Sequence, residues 1–205
     1  MINKGIGFNR TLKRAWLDVA AAFCAELAGT DDLQQALRAR LEDVLASDVH
    51  GDEARRKTID LLINLWLRTR EVAPLLWERA VAWNQTTTAP EDRVWLHYGL
   101  SLVYYDFFAR CVTAIGQFSR YEEAITTRMV LRQLTAEMGQ FGSLSRATRH
   151  LIASLRDWGI LVSSEKARYT YVPQRGGFRA SDVALEAWLL ACALRAHPAE
   201  ELPFA

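Results

Sequence analysis

Arg146 and Arg149 stand one helical turn apart in a helix-prone stretch, with Ser145 and Thr148 beside them. Guanidinium groups are planar forks that match phosphate oxygens and guanine edges, and hydroxyls at a helix start can hold phosphate as well. Lys166 and Arg168 follow at the tip of a β-prone stretch, and Lys13 and Arg14 add cations near the other end of the chain. Side chains of these types suit the gripping of a polyanion rather than bond-making catalysis. They are the candidate contact set: Ser145, Arg146, Thr148, Arg149, Lys166, Arg168, Lys13 and Arg14.

The elements that would position them run from Val130 to Val172. A short amphipathic segment and a Gly-containing turn come first. A longer helix follows from Ser143 to Trp158, with Ser143 or Ser145 able to cap it. Leu144, Ala147, Leu151, Leu155 and Trp158 recur at helical spacing and face a core, while Arg146, Arg149, His150, Ala153 and Arg156 fall largely on the other side. Gly159 breaks the helix. Ile160–Ser163 and Tyr169–Val172 can then pair around the polar tip Ser164–Arg168. This order resembles a winged helix-turn-helix, whose second helix enters a major groove and whose wing reaches adjacent phosphate or a minor groove.

Charge is distributed to match. The 205-residue chain has a formal net charge of only +1. From Arg120 to Ala180, however, ten basic residues stand against five acidic ones, which leaves the rest acidic on balance. Phosphate neutralisation supplies much of the affinity of DNA-binding proteins, so a local excess is what such a module needs. A second basic cluster, Lys4, Arg10, Lys13 and Arg14, has no acid before Asp18. It reads as an arm along DNA or as a flexible, solvated terminus, and the latter is the expectation. Arg55-Arg56-Lys57 follows Asp52 and Glu53 and is expected to be a surface ion-pair site.

The remainder reads as a helical body. Met1 to Asn9 are expected to be loosely structured. Helices are expected from Arg10 to about Ala28, across Leu33–Leu45, from about Glu53 to Arg70, and from Pro74 to the loop at Gln85–Pro90. Glu91 to about Gln117 reads as one long apolar helix, Tyr121 to Glu137 as a charged one, and Asp182 to Arg195 as the last. The fold class is therefore mainly α: a helical body over 1–118, a winged helix-turn-helix-like module over 119–180, and a C-terminal helix and tail over 181–205 packing back on the body.

Catalytic signatures are absent. No GxxxxGK[ST], GxGxxG after a strand, GxSxG or HExxH occurs, and no PD…(D/E)xK nuclease pattern. Cys24, Cys111 and Cys192 are scattered and without metal-ligand spacing, so buried thiols in a reducing cytoplasm are expected, with no metal and no cofactor. His97 reads as a satisfied core histidine, and Asp106, set among aromatics, as a partner for an arginine. No uncharged apolar run is long enough for a membrane span, and the N-terminus does not read as a signal peptide.

The layout resembles the BrxA family of bacterial BREX phage-defence systems. The residues that carry the resemblance are Arg146–Leu161 (RATRHLIASLRDWGIL) with the wing after it, the start Asn3–Phe8, and Ala54–Leu67 (ARRKTIDLLINLWL). It implies a small helical DNA-binding protein without catalytic activity of its own. The expected function is a non-catalytic, double-stranded-DNA-binding accessory or regulatory factor in phage defence. The alternative is an adaptor that docks other phage-defence proteins, for which any exposed tryptophan among the seven would be a marker. RNA binding is weaker, because no aromatic stacking motif is visible. A homodimer would fit paired half-sites, but no heptad seam argues for one.

Overall fold

The computed structural model describes residues 6–26, 32–86, 90–165, 167–174 and 182–197. Within them the chain is mainly helical, with one small three-stranded sheet. It divides into two units. The first is built on Ala15–Tyr104 and includes the C-terminal helix; the second joins the N-terminal stretch up to Arg14 to Tyr105–Arg179.

In the first unit α1 (Arg14–Glu26), which starts at the junction, is followed by α2 (Leu33–Leu45) and α3 (Asp52–Ile63). Asp32 caps α2 by accepting the Gln35 amide at 3.1 Å. Gly51 precedes α3 at φ +89°, and Asp52 and Glu53 place negative charge on the positive end of that helix. Arg55 pairs there with Glu42 and Asp52, Lys57 with Glu53, and Arg56 with Asp60, so this cluster is an ion-pair site.

A π-helical stretch, Asn64–Arg68, continues α3 into the short α4 (Thr69–Val72). The Trp66 carbonyl there accepts from the Trp77 indole. The Trp66 indole in turn donates to Nδ1 of the fully buried His97 at 3.2 Å. An indole N–H can only donate, so Nδ1 carries the lone pair and Nε2–H donates to Asp18 at 3.0 Å. His97 is thus a neutral structural tie between α1 and the π-helical stretch.

Pro74 opens α5 (Pro74–Thr86), where its missing N–H costs nothing. Then come α6 (Pro90–Tyr104) and, at the C-terminal end, α10 (Val183–Ala196), capped by Asp182. Leu185, Trp188 and Cys192 of α10 are buried at helical spacing, with Trp188 against Gly99 of α6. A β-carbon at Gly99 would lie 2.5 Å from the Trp188 ring and 3.1 Å from the Cys192 sulfur. Gly99→Ala is therefore expected to lower stability by about 1–3 kcal/mol through overpacking, read as a lower urea midpoint. An unchanged midpoint would show that the two helices can part at no cost.

The second unit contains α7 (Asp106–Tyr121), β1 (Ile125–Thr126), α8 (Thr127–Met138), α9 (Leu144–Asp157), β2 (Leu161–Ser163) and β3 (Thr170–Pro173). The single helix expected over Glu91–Gln117 is broken at Tyr105, which is extended at φ −109° and ψ 103°. Aromatic residues hold a helix weakly, whereas Asp106 favours a helix start and pairs with Arg110 at 2.8 Å. The division between units falls at this break, and residue 118, the expected boundary, lies inside α7.

The helix expected from Tyr121 begins only at Thr127, because Ile125 and Thr126 pair with Tyr171 and Thr170 of β3. Thr126 then caps α8 by accepting the Met129 amide. β3 also pairs antiparallel with β2, from Leu161↔Pro173 to Ser163↔Tyr171, giving the sheet order β1–β3–β2.

The N-terminal arm also departs from expectation. Residues 6–13 are not helical; they form an irregular strap with a turn at Gly7–Asn9 and a bend at Arg10, and residues 1–5 lie outside the described residues. Phe8 is fully buried, with its ring 5.5 Å from those of Tyr105 and Phe108 and 6.3 Å from Trp158. Among the described residues no helix is long and apolar enough to cross a membrane.

Candidate nucleic-acid interface

α9 is strongly amphipathic. Leu144, Ala147, Leu151, Ile152, Ser154 and Leu155, with Trp158 beyond the end, are buried on one side. Ser145, Arg146, Arg149 and Arg156 are exposed, with Ala153 half-buried between them. Ser143 occupies the cap position but makes no side-chain capping bond. The helix ends where Gly159 takes φ +78° and the Ile160 amide donates to the Leu155 carbonyl.

The strap runs along one margin of this helix and is stitched to it. Thr11 Oγ1 lies 3.0 Å from His150 Nδ1. The Leu12 amide donates to Ser154 Oγ at 2.8 Å, and the Leu12 carbonyl accepts from the Trp158 indole at 2.9 Å. The Arg14 amide donates to Asp157 at 2.6 Å. Side chains of α9 and of Trp158 thus satisfy backbone groups of Leu12 and Arg14 before α1 begins.

Arg10 is carried by the strap to α9. Its charge acts on His150 together with those of Arg149 and Arg146. Desolvation first, then these three guanidinium groups, hold the His150 imidazole below the ordinary histidine range. None of Arg10, Arg146 and Arg149 has a carboxylate partner among the described residues, whereas Arg38, Arg55, Arg56 and Lys57 of the first unit all do. The charge balance agrees. Sequence ranges 3–14 and 105–179 hold fifteen Lys and Arg against six Asp and Glu, a formal +9. The rest holds ten against eighteen, a formal −8.

Of the candidate contact residues, Ser145, Arg146 and Arg149 lie together on the exposed face of α9. Lys13 is exposed on the strap and Arg14 half-buried at its end. Arg168 is exposed in the β2–β3 turn, its guanidinium 4.9 Å over the Tyr169 ring, where Tyr169 takes φ +60°. Lys166 lies outside the described residues. Thr148 is a correction: it is fully buried and its hydroxyl donates to the Leu144 carbonyl, so it faces the core rather than a ligand. Thr148→Val is therefore expected to leave any ligand affinity unchanged while altering stability by about 1 kcal/mol. A loss of affinity without loss of stability would restore Thr148 as a contact.

The juxtaposition of Arg10 and Thr11 with His150 is what the sequence reading missed. The signal was a polar margin on α9 (His150, Ser154 and Asp157), but its partner lies well over a hundred residues away. An open groove of about 480 Å³ is lined by Ala153, Arg156, Asp157, Leu161, Val162 and Ser163, and Arg156 stands 5.7 Å over the Tyr171 ring. The cysteines offer no reactive thiolate. All three are buried, and burial pushes the thiols up, to about 12 for Cys24 and Cys192.

Compared with known proteins, the chain matches no family model, no curated protein and no solved structure.

Proposed function

We propose that the second unit is a winged helix-turn-helix that docks on double-stranded DNA, with α9 in the major groove and the β2–β3 turn against the backbone. The observation that carries this reading is the exposed face of α9, where Arg146 and Arg149 have no carboxylate partner among the described residues. The order helix–strand–helix–helix–strand–strand and the sheet order β1–β3–β2 support it, because they give a helix pair followed by a two-stranded wing that β1 joins. The +9 charge of the second unit attracts phosphate. The role is non-catalytic. The setting as an accessory or regulatory factor in BREX-type phage defence rests on the resemblance at Arg146–Leu161. A gene neighbourhood without any methyltransferase, large ATPase or phosphatase-like defence gene would remove that setting.

A second reading, an adaptor for other defence proteins, has one observation behind it. Val183, Leu190 and Leu194 of α10 are exposed, away from the buried Leu185, Trp188 and Cys192. The tryptophans do not add to it, since none of the seven is exposed.

The test is binding to a random-sequence duplex across a salt series. Affinity is expected to fall linearly on logarithmic axes, by about 0.9 in slope for each phosphate neutralised. Failure of the folded protein to bind at low salt would sink the DNA reading and leave the adaptor.

A further inference from the structure

His150 is unlike the other buried or half-buried histidine of the chain. His97 is tied to an indole that can only donate, so a second ring proton would break that bond. The partner of His150 is the Thr11 hydroxyl, which can donate to a neutral Nδ1 or accept from a protonated one. The Thr11 contact therefore survives a change of charge, and the second ring nitrogen, Nε2, has no partner among the described residues. The charged groups acting on this ring are Arg10 from the strap and Arg146 and Arg149 from its own helix, with no carboxylate among them. Asp157, the nearest acid along this margin, lies about two turns further on and accepts the Arg14 amide. Three guanidinium groups with no carboxylate partner among the described residues act on one half-buried imidazole, an arrangement suited to an anion.

We propose that Arg10, Thr11, Arg146, Arg149 and His150 form a single phosphodiester site on the DNA strand passing the strap side of α9, and that a proton taken up at His150 completes it. The inference rests on the duplex-binding reading above and names the part of the duplex held there. In the free protein partial burial, and then the three arginines, hold the ring below the ordinary histidine range. A phosphate seated among them offsets their charge and favours the imidazolium, so the ring titrates higher in the complex than in the free protein. The sign follows from that order. Binding takes up a proton, and affinity rises as pH falls through the interval between the two values. The gain is complete below the free-protein value and absent above the value in the complex.

The experiment uses the full chain and a random-sequence duplex at matched ionic strength, with wild type and His150→Gln compared at about pH 5.5 and about pH 8, either side of the ordinary histidine value of about 6.5. Wild type is expected to bind about tenfold more tightly at the lower pH. His150→Gln keeps a hydrogen-bonding side chain but cannot titrate. Whatever its affinity at the higher pH, it is expected to show little of the gain on lowering the pH. Nuclear magnetic resonance titration of the His150 ring is expected to give a higher value with duplex than without. Salt-dependent binding that is flat in pH, or a His150→Gln variant with the full pH gain, would overturn the clamp and leave the DNA reading standing. No binding at either pH would overturn both.

Discussion

Replacing Arg146 and Arg149 together by alanine is expected to weaken duplex binding on the order of a hundredfold at moderate salt. The reasoning starts from exposure. Both side chains are exposed on α9 and have no carboxylate partner among the described residues, so their charge suits a ligand. Each charge-assisted hydrogen bond to phosphate contributes about 1.5 kcal/mol or more, and two such losses come to about two decades in affinity. If both arginines grip phosphate, the log–log salt slope should also flatten by about 1.8. If one reads a guanine edge instead, the flattening is about half as large, and sequence preference relaxes at one position. The fold should be untouched, because neither side chain enters the core. Unchanged affinity and slope in a folded double variant would show that α9 is not the contact helix, whatever the wild type binds.

Why these residues were legible from sequence is a matter of local geometry. α9 is set by a repeat of buried Leu144, Ala147, Leu151 and Leu155, and that repeat alone fixes which way Arg146 and Arg149 point. The hairpin behind Gly159 was equally local. Two things were not. The break at Tyr105 hid inside a stretch that is apolar on both sides, where periodicity runs straight through and only the Asp106–Arg110 pair marks a new start. β1 is two residues long and exists because β3 pairs with it, a partner more than forty residues away. Thr148 shows the limit of exposure arguments near a helix margin: its hydroxyl bonds back to the Leu144 carbonyl, so a polar residue sits in the core at little cost.

The strap was the largest miss, and Phe8→Ala measures it. A stretch with Gly5, Gly7 and several cations reads as a solvated arm. Yet Phe8 is fully buried among Tyr105, Phe108 and Trp158. Truncating a buried phenylalanine removes its transfer free energy and leaves a cavity, together about 3–5 kcal/mol. That is a large share of a typical stability of about 5–15 kcal/mol, so Phe8→Ala is expected to lower the melting temperature on the order of 10 °C. The exposed neighbour makes the control: Asn9→Ala should change stability by about 0.5 kcal/mol or less. If Phe8→Ala behaved like Asn9→Ala, the strap would not be part of the folded unit. The strap also links stability to the interface, because the same segment that buries Phe8 holds Arg10 and Thr11 beside His150. In a Phe8→Ala protein kept below its melting range, Arg146 and Arg149 remain on α9, so salt-dependent binding is expected to persist. What should fade is the share of affinity that depends on Arg10, because an undocked strap no longer places that charge. Measuring both properties on one variant separates what α9 does alone from what the N-terminal segment adds.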